Sequence, residues 1–562
     1  MKRCLQPEQI IPISRHSTSQ VKTGSWGVLE PRFQQKVAPC MEACPVGNNI
    51  SLALSRASEG DMNGALEAFL EENPLPGVCG RVCYAFCEEE CNRAPWDGAV
   101  NIKTVERAAS DLGDAMPAPI CEDGEGYPVA VVGAGPSGLA AAYHLGRMGH
   151  PVTIFEREEA PGGLLRHGIP AYRLPLHVLE RDLKRIFLLP ITVRTRANLT
   201  PREIESLSED NHAVYVAPGA QLPFRPKIKG LSSKGVLHAL EFLRESKGGA
   251  LKEIKGRVVV IGGGNVAIDS AMTSVRLGAD AVEVVCLESY EEMPAHPSER
   301  EDAMEEGVTF TNGYGPLSIR PGNGELEVIL GRCISIRDQH GRLSPVLDRK
   351  DTIKRAASWV ILATGQRPDP ALWRFFRELE DPFRRPNILF GGDFLSHPGS
   401  VAGAVAVGKE AAIRIHLMSR GVDPKPIMES MTLGGSSALN ISSYFRKETV
   451  WDPKAVSRIT KWGEILHEFS ERKEFPRIPI NKRKRGFEEI APPIDMKGAK
   501  EAAQRCLSCG TCTQCDACLL FCPDLSIQRG EREYGVDLDH CKGCSICATV
   551  CIRGVISMGE RG

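Results

Sequence analysis

The chain of 562 residues carries 69 Lys+Arg against 71 Asp+Glu, a formal net charge of −2 at pH 7, and 42% hydrophobic residues. That balance leaves no overall basic field to favour nucleic acid, and no uninterrupted apolar run approaches the ~18 residues of a membrane helix. The 20 cysteines follow a start, MKRCLQPEQIIPISRH, without the apolar core of an export signal, which predicts a cytoplasmic protein whose thiols serve metal ligation rather than disulfides.

In chain order, the first feature is a group of six cysteines, Cys40, Cys44, Cys79, Cys83, Cys87 and Cys91. So many regularly spaced thiols exceed what packing needs, buried structural cysteines being the alternative. Cys4, Cys121, Cys286 and Cys333 stand apart from any group.

Next comes YPVAVVGAGPSGLAAAYHLGRMGHPVTIFERE, residues 127–158. An apolar strand, Val129 to Val132, meets Gly133-x-Gly135-x-x-Gly138, and an alanine-rich helix begins. A second strand from Val152 to Phe155 ends on Glu156. This is the dinucleotide fingerprint in its required context. Gly133 makes the turn, Gly135 lets the pyrophosphate approach the backbone, Gly138 lets helix and strand pack closely, and Glu156 accepts from the adenosine ribose. The helix N-terminus faces phosphate charge. A second fingerprint, GRVVVIGGGNVAIDSAMTSVRLGADAVEVVCLE, starts at Gly256. Its loop reads Gly262-x-Gly264-x-x-Ala267, and Leu287 and Glu288 follow its second strand. Two complete fingerprints predict two dinucleotides, one of them a flavin; a degenerate second loop is the alternative.

The run ASWVILATGQRP reads as a strand returning to the first sheet. It precedes NILFGGDFLSHPGSVAGAVAVGKEAA, which sets Gly391-Gly392-Asp393 before a small-residue helix. Such a helix start can face a phosphate or flavin ring, with Asp393 on the ribityl chain. The first nucleotide domain is therefore expected to be split, at 126–235 and 355–425, with the second, 236–354, inserted; the resemblance given below assigns FAD to the first and NAD(P) to the second. Residues 426–500 read as a polar linker. Its NKRKRG stretch is either a solvated loop or a dock for an acidic redox partner. His167, His296 and His397 lie near motifs and are expected to be packing or hydrogen-bonding residues. No hydrolase nucleophile–base signature appears.

The last segment, 501–562, repeats one cysteine pattern. Cys512-x2-Cys515-x2-Cys518-x3-Cys522 is followed by Cys541-x2-Cys544-x2-Cys547-x3-Cys551. In the bacterial ferredoxin arrangement, three thiolates of one run and the fourth of the other hold each cube. Cys512, Cys515, Cys518 and Cys551 would hold one [4Fe-4S] cluster, and Cys541, Cys544, Cys547 and Cys522 the other. A Cys4 zinc ribbon is the competing reading. Ile552 stands where a second proline is usual. Cys506 and Cys509 exceed the eight required, and are an alternative register, a further ligand pair, or inert thiols.

These motifs resemble the glutamate synthase small-subunit-like flavoproteins over about residues 36–425. The resemblance rests on PCMEACPVGNNI, NPLPGVCGRVCYAFCEEECNR, VVGAGPSGLAAAYHL, PGGLLRHGIPAYRLP, IGGGNVAIDSA, EEMPA and GGD. The ferredoxin segment looks like the fused version in multisubunit electron-transfer relatives, such as the NADH-oxidising partner of siroheme sulfite reductase and 2-oxoacid:ferredoxin or benzoyl-CoA reductase systems. The resemblance implies an α/β fold of two Rossmann-like domains like those of adrenodoxin reductase, one inserted in the other. A helical iron–sulfur domain, 1–125, precedes them, and an α+β ferredoxin domain follows. It matches Cys40, Cys44, Cys83, Cys87 and Cys91 to iron–sulfur ligand positions, with Cys79 beside them. It adds Gly163 to the FAD residues and Asn265 to the NAD residues. Fuller relatives carry a further CxxC upstream. Here EPRFQQKVAPC has none, so a single N-terminal cluster is expected.

Two departures bear on cofactor contacts. Ala217-Pro218-Gly219-Ala220 stands where relatives often read Ala-Thr-Gly-Ala, and proline removes a backbone donor. Leu287 and Glu288 stand where NADPH-using relatives carry arginines, which implies NADH. The expected activity is electron transfer between NADH and a ferredoxin or partner redox enzyme, within a hetero-oligomeric complex. The alternatives are a glutamate synthase β-subunit, which needs a separate synthase chain, and a non-catalytic wiring subunit.

Overall fold

Two five-stranded parallel sheets organise the middle of the chain. The computed structural model describes residues 22–116, 126–322, 325–379, 386–395, 399–442, 451–459, 469–531 and 534–561. Cys4, Cys121 and His397 lie outside the described residues. The first sheet runs in the order Ile388–Phe390, Ala213–Val216, Val129–Val132, Val152–Phe155, Ile191–Arg194. Val129–Val132 is buried throughout, as a central parallel strand covered on both faces must be. Helix Pro136–Arg147 leaves this strand and packs on helix Val401–Ser419. The approach is close: a Cβ at Gly408 would lie 2.0 Å from the Ser137 carbonyl oxygen.

The second sheet has the order Thr309–Asn312, Ala281–Cys286, Arg257–Ile261, Trp359–Leu362, Val236–His238. This corrects the sequence reading of ASWVILATGQRP. Trp359–Leu362 joins the second sheet, between Arg257–Ile261 and Val236–His238, and Ile388–Phe390 closes the first. An apolar run without alternation fits either sheet, and only the pairing partners distinguish them. The inserted unit therefore extends to Leu362 rather than ending at 354. An antiparallel meander, Tyr314–Pro321, Leu326–Arg337 and Leu343–Ala357, shares an apolar core with it through Val259, Ile261, Ile319, Val328 and Leu330. Leu222–Pro223 pairs with Gln366–Arg367 where the chain crosses between the two units.

Helices Ile50–Glu59, Met62–Leu70, Pro76–Val82 and Ile102–Leu112 form the iron–sulfur unit. Its apolar core is continuous with that of the first sheet. Lys409 and Glu72 form a buried ion pair across this seam at 2.7 Å. Lys409 also donates to the Leu439 carbonyl at 2.6 Å and to the Val46 carbonyl. Glu72 accepts from the backbone of Ile441 and Ser442, each at 3.0 Å.

Two further expectations are corrected. Residues 426–500 are not simply a linker. Strand Trp451–Val456 pairs in parallel with Gln35–Val37, and helix Met496–Gln504 packs on Ile50–Glu59 and Ile102–Leu112. In the NKRKRG stretch, Arg483 is buried, donating to the Ile478 carbonyl at 2.7 Å and to Glu305 at 2.9 Å. The span given to the helical unit also holds a strand that belongs elsewhere. Leu29–Phe33 pairs antiparallel with Ile556–Glu560 of the ferredoxin unit. Among the described residues no helix is long and apolar enough to cross a membrane.

Candidate nucleotide cleft and thiol clusters

The two glycine loops have matching backbone geometry. A Cβ at Gly133 would lie 2.4 Å from the Ala217 carbonyl oxygen, and one at Gly262 would lie 2.2 Å from that of Ala363. Both glycines have positive φ, +100° and +143°, so the turns demand glycine twice over. At Gly135 and Gly264 a Cβ would meet nothing within 4 Å. Those are the open positions where a pyrophosphate must come close. At Gly138 a Cβ would sit 1.9 Å from the Gly133 carbonyl oxygen, whereas the second loop accommodates Ala267 there.

The first loop opens into a deep cleft lined by Gly133, Gly135, Glu156, Gly163, Asp393 and Val401 among others. The N-termini of two helices, at Pro136 and Val401, border it. Glu156 is buried and holds the loop, its carboxylate accepting from Ala134 N at 2.7 Å and Glu158 N at 2.9 Å. Pro218 and Gly219 line the same cleft. The cleft is lined with both open glycine backbone and apolar side chains, a combination that fits a dinucleotide bearing a fused aromatic ring.

In the second loop, Asn265 begins helix Asn265–Arg276, and its side chain bonds outward. Its Oδ1 accepts from His296 N at 2.7 Å, and its Nδ2 donates to the Tyr84 hydroxyl. The Glu288 carboxylate overhangs the loop, 2.7 Å from where a Cβ of Gly263 would be. Arg300 is buried with its guanidinium 4.5 Å from the Tyr290 ring centroid. Arg367 sits in the crossing strand next to Gln366, which lines the first cleft.

Sequence reasoning missed the residues that join these units. Tyr84, next to Cys83, lines the first cleft and stacks on His296 at 5.1 Å with 10° between planes. Arg173 donates to both oxygens of Asp269, at 2.8 and 2.9 Å, and to Glu299. Burial raises the Glu299 carboxyl to about 7 despite that arginine. A tyrosine inside a cysteine run carries no sequence signal of a domain contact.

The described cysteines are free thiols, and those of the two terminal segments fall into four sets. Cys512, Cys515, Cys518 and Cys551 line one small cleft, and Cys522, Cys541, Cys544 and Cys547 another. This is the crossed partition expected of the ferredoxin repeat. Cys44, Cys83 and Cys87 form a third set. Cys79 and the buried Glu106 carboxylate face it. Burial pushes that carboxyl up to about 8, although Asn73 donates to it at 2.8 Å. Cys40 borders this set near Cys44 and Cys87, but its main thiol neighbours, like those of Cys91, lie elsewhere. Cys40 and Cys91 share a separate cleft with Cys506 and Cys509. Burial raises the Cys40, Cys44 and Cys87 thiols above the usual thiol range, so thiolates there require a compensating cation. Among the described residues no three such donors converge on a point that one metal ion could occupy. A cube spreads its thiolates over four irons, so its ligands stand farther apart than those of a single ion.

Comparison with known proteins matches these regions. Residues 33–117 match the model for dihydropyrimidine dehydrogenase domain II, 4Fe-4S cluster. Residues 127–377 match that for pyridine nucleotide-disulphide oxidoreductases. The NAD-dependent dihydropyrimidine dehydrogenase subunit PreT of Escherichia coli (strain K12) is 33% identical, over 67% of this chain and 90% of that protein. The NADPH-Fe(3+) oxidoreductase subunit beta of Geobacter sulfurreducens (strain DL-1 / KN400) is 36% identical, over 61% of this chain and 54% of that protein. The NADP(+)-dependent formate dehydrogenase subunit beta of Moorella thermoacetica is 29% identical, over 84% of this chain and 70% of that protein.

Proposed function

The chain belongs to the FAD- and NAD(P)H-dependent iron–sulfur oxidoreductases, and from that premise we propose that it exchanges electrons between NADH and a partner redox subunit or ferredoxin. The observation that carries the proposal is the position of Tyr84. It lies next to Cys83 of the third thiol set, lines the first nucleotide cleft and bonds Asn265 of the second loop. One residue thus touches the surroundings of three redox groups.

FAD in the first cleft supplies the conversion between hydride and single-electron transfer. The protein's part is to hold and orient. Gly133, Gly135 and Gly138 would shape the pyrophosphate seat, Gly163 and Asp393 line the cleft, where Asp393 would hold the ribityl chain, and Glu156, which fixes the loop, would take the ribose. Gly262, Gly264, Asn265 and Ala267 seat the nicotinamide dinucleotide. Glu288 overhangs that loop, where a carboxylate bonds both ribose hydroxyls and repels a 2′-phosphate. This supports NADH over NADPH. The relatives' names divide on the point, PreT being NAD-dependent and the other two NADP- or NADPH-linked. The ferredoxin sets hold two [4Fe-4S] clusters. Cys44, Cys83 and Cys87 hold an N-terminal one, with the fourth donor from Cys79 or Glu106.

Those relatives are named as subunits, which supports a hetero-oligomeric partner. The many free thiols support a reducing, cytoplasmic site of action. The deciding experiment is anaerobic reduction of an artificial dye by the isolated chain. NADH-dependent turnover together with bleaching of the flavin band supports the reading. A flavin that NADH leaves oxidised refutes it.

A further inference from the structure

Ten cysteines lie between residues 506 and 551, but the ferredoxin repeat uses eight. The fold separates the remaining two. Cys506 and Cys509 line neither ferredoxin cleft. They line a third, together with Cys40 and Cys91, its other walls being mainly apolar: Ala38, Pro39, Leu54, Val100, Ile102 and Leu507. Four thiols from segments more than 400 residues apart thus face one another in a cleft that offers little else to bond.

The arrangement is held by buried charge on both sides. Arg505, immediately before Cys506, donates to the carbonyls of Asp97 at 2.7 Å, Gly98 at 2.8 Å and Ala99 at 2.8 Å. Arg93, two residues after Cys91, donates to the Arg505 carbonyl at 2.8 Å and pairs with Asp97. Burying such arginines is costly unless every donor is used, so this register of the two segments is strongly specified. Helix Met496–Gln504 delivers Cys506, whose N–H closes on the Ala503 carbonyl at 2.9 Å. Ser508, in the left-handed region at φ 52°, turns the chain so that Cys509 returns to the same cleft.

Donors are aimed at the sulfurs. The Asn92 side-chain amide lies 3.2 Å from Cys509 Sγ, and Ser508 N lies 3.4 Å from Cys506 Sγ. The ferredoxin repeat has the same feature, with Ser526 N at 3.4 Å from Cys522 Sγ. Such N–H···S bonds stabilise coordinated thiolates and tune cluster potential.

We propose that Cys40, Cys91, Cys506 and Cys509 jointly hold a further [4Fe-4S] cluster, distinct from the two of the ferredoxin repeat and from that of Cys44, Cys83 and Cys87. The Cys506-x2-Cys509 pair supplies from far along the chain what the segment before Cys40 lacks. Arg553 lines the Cys512 cleft and its carbonyl accepts from the N–H of Gly510, next to Cys509, at 2.6 Å, so this cluster adjoins the ferredoxin cluster of Cys512. It joins the iron–sulfur unit to the ferredoxin unit in one electron path. The proposal goes beyond the reading of the preceding subsection and fails independently of it.

The test is iron, sulfide and zinc analysis with EPR of the dithionite-reduced full chain, purified anaerobically. Four clusters give about sixteen irons per chain. The Cys506→Ser/Cys509→Ser double variant should lose about four irons and one EPR component, with flavin content kept. Cys40→Ser/Cys91→Ser should lose the same component. Should the first variant fail to retain flavin, the second decides. Cys512→Ser should remove a different component; if it removes none, the ferredoxin reading fails instead. The proposal is overturned if both double variants keep the wild-type iron count and spectrum. It is equally overturned if one zinc per chain disappears with these cysteines in place of iron.

Discussion

The Tyr84 ring lies flat against that of His296, centroids 5.1 Å apart and planes 10° apart, although Tyr84 belongs to the iron–sulfur unit and His296 to the nucleotide unit. Its hydroxyl also accepts from the Asn265 amide. A stacked ring and a hydrogen bond together are worth about 1–3 kcal/mol. Tyr84→Ala should therefore slow NADH-dependent acceptor reduction roughly tenfold, since about 1.4 kcal/mol is one decade in rate. Flavin and iron content should stay at wild-type levels, and Tyr84→Phe should keep most of the activity. Steady-state rates alongside cofactor analysis check this; equal rates for Tyr84→Ala and wild type would reduce the contact to packing.

Two glycines of one loop should fail differently. At Gly135 a side chain meets no protein atom within 4 Å, whereas at Gly138 it meets the Gly133 carbonyl oxygen at 1.9 Å. Gly135→Val should fold but bind FAD at least about tenfold more weakly, because the side chain fills the pyrophosphate seat. Gly138→Val should destabilise the domain itself. Flavin absorbance per chain and thermal melts separate the two, and full flavin occupancy in Gly135→Val would remove the first loop from the FAD site.

Replacing Leu287 and Glu288 together by arginine should turn the nicotinamide preference. Two guanidiniums attract a 2′-phosphate, and the carboxylate that repels it is gone. Arg300 is committed to the face of Tyr290, so it offers no ready compensation. The ratio of kcat/KM for NADH over NADPH should exceed one in the native chain and fall by at least about tenfold in the variant. A native ratio below one would refute the assignment of Glu288.

The Lys409–Glu72 pair is enclosed, with side chains 1% and 0% exposed. Removing one member strands the other without solvent, at a cost of about 3–5 kcal/mol. Lys409→Met should lower the denaturant midpoint accordingly, followed by flavin release. The double variant Lys409→Met/Glu72→Gln should recover part of the loss, and a single variant as stable as wild type would show that the pair contributes nothing.

Acid sensitivity has a local source at His150 and His416, joined by a 3.0 Å hydrogen bond. Burial lowers His416 from 6.5 to about 4, with His150 adding to the effect. Its contribution is present in full above pH 6.5 and is lost as pH falls toward 4, because the unfolded chain takes up the proton first. His416→Asn keeps a polar partner that does not titrate, so its stability should fall less steeply between pH 7 and 5. Cluster loss affects both proteins alike, and parallel profiles would exclude this histidine as the source.

Local sequence carried the nucleotide loops. Gly133 and Gly262 make the turns their spacing implies, and Gly135 and Gly264 leave open backbone, because such geometry is a property of a few consecutive residues. The ferredoxin cysteines were legible for the same reason, their two clefts matching the crossed spacing. What spacing could not convey was which distant segments meet. Trp359–Leu362 reads equally well as a strand of either sheet. Cys506 and Cys509 show their partners only once Arg505 has been docked under Asp97. Cys40 lines the cleft of Cys506 and Cys509 although Cys44 follows only four residues later, and no spacing rule announces that. Tyr84 and Lys409 lie inside quoted segments at positions those motifs do not explain, Glu72 lies outside them, and the roles of all three arise from packing between units.

The pairing of Leu29–Phe33 with Ile556–Glu560 has a consequence for biosynthesis. The earlier strand leaves the ribosome more than five hundred residues before its partner exists. At about 5–20 residues per second, it waits roughly half a minute to two minutes with an unpaired edge. Cys40 and Cys91 wait almost as long for Cys506 and Cys509. Iron delivery to that site therefore cannot finish during synthesis, and a message truncated before codon 506 yields a polypeptide whose nucleotide domains can fold while its first thiols stay exposed to oxygen.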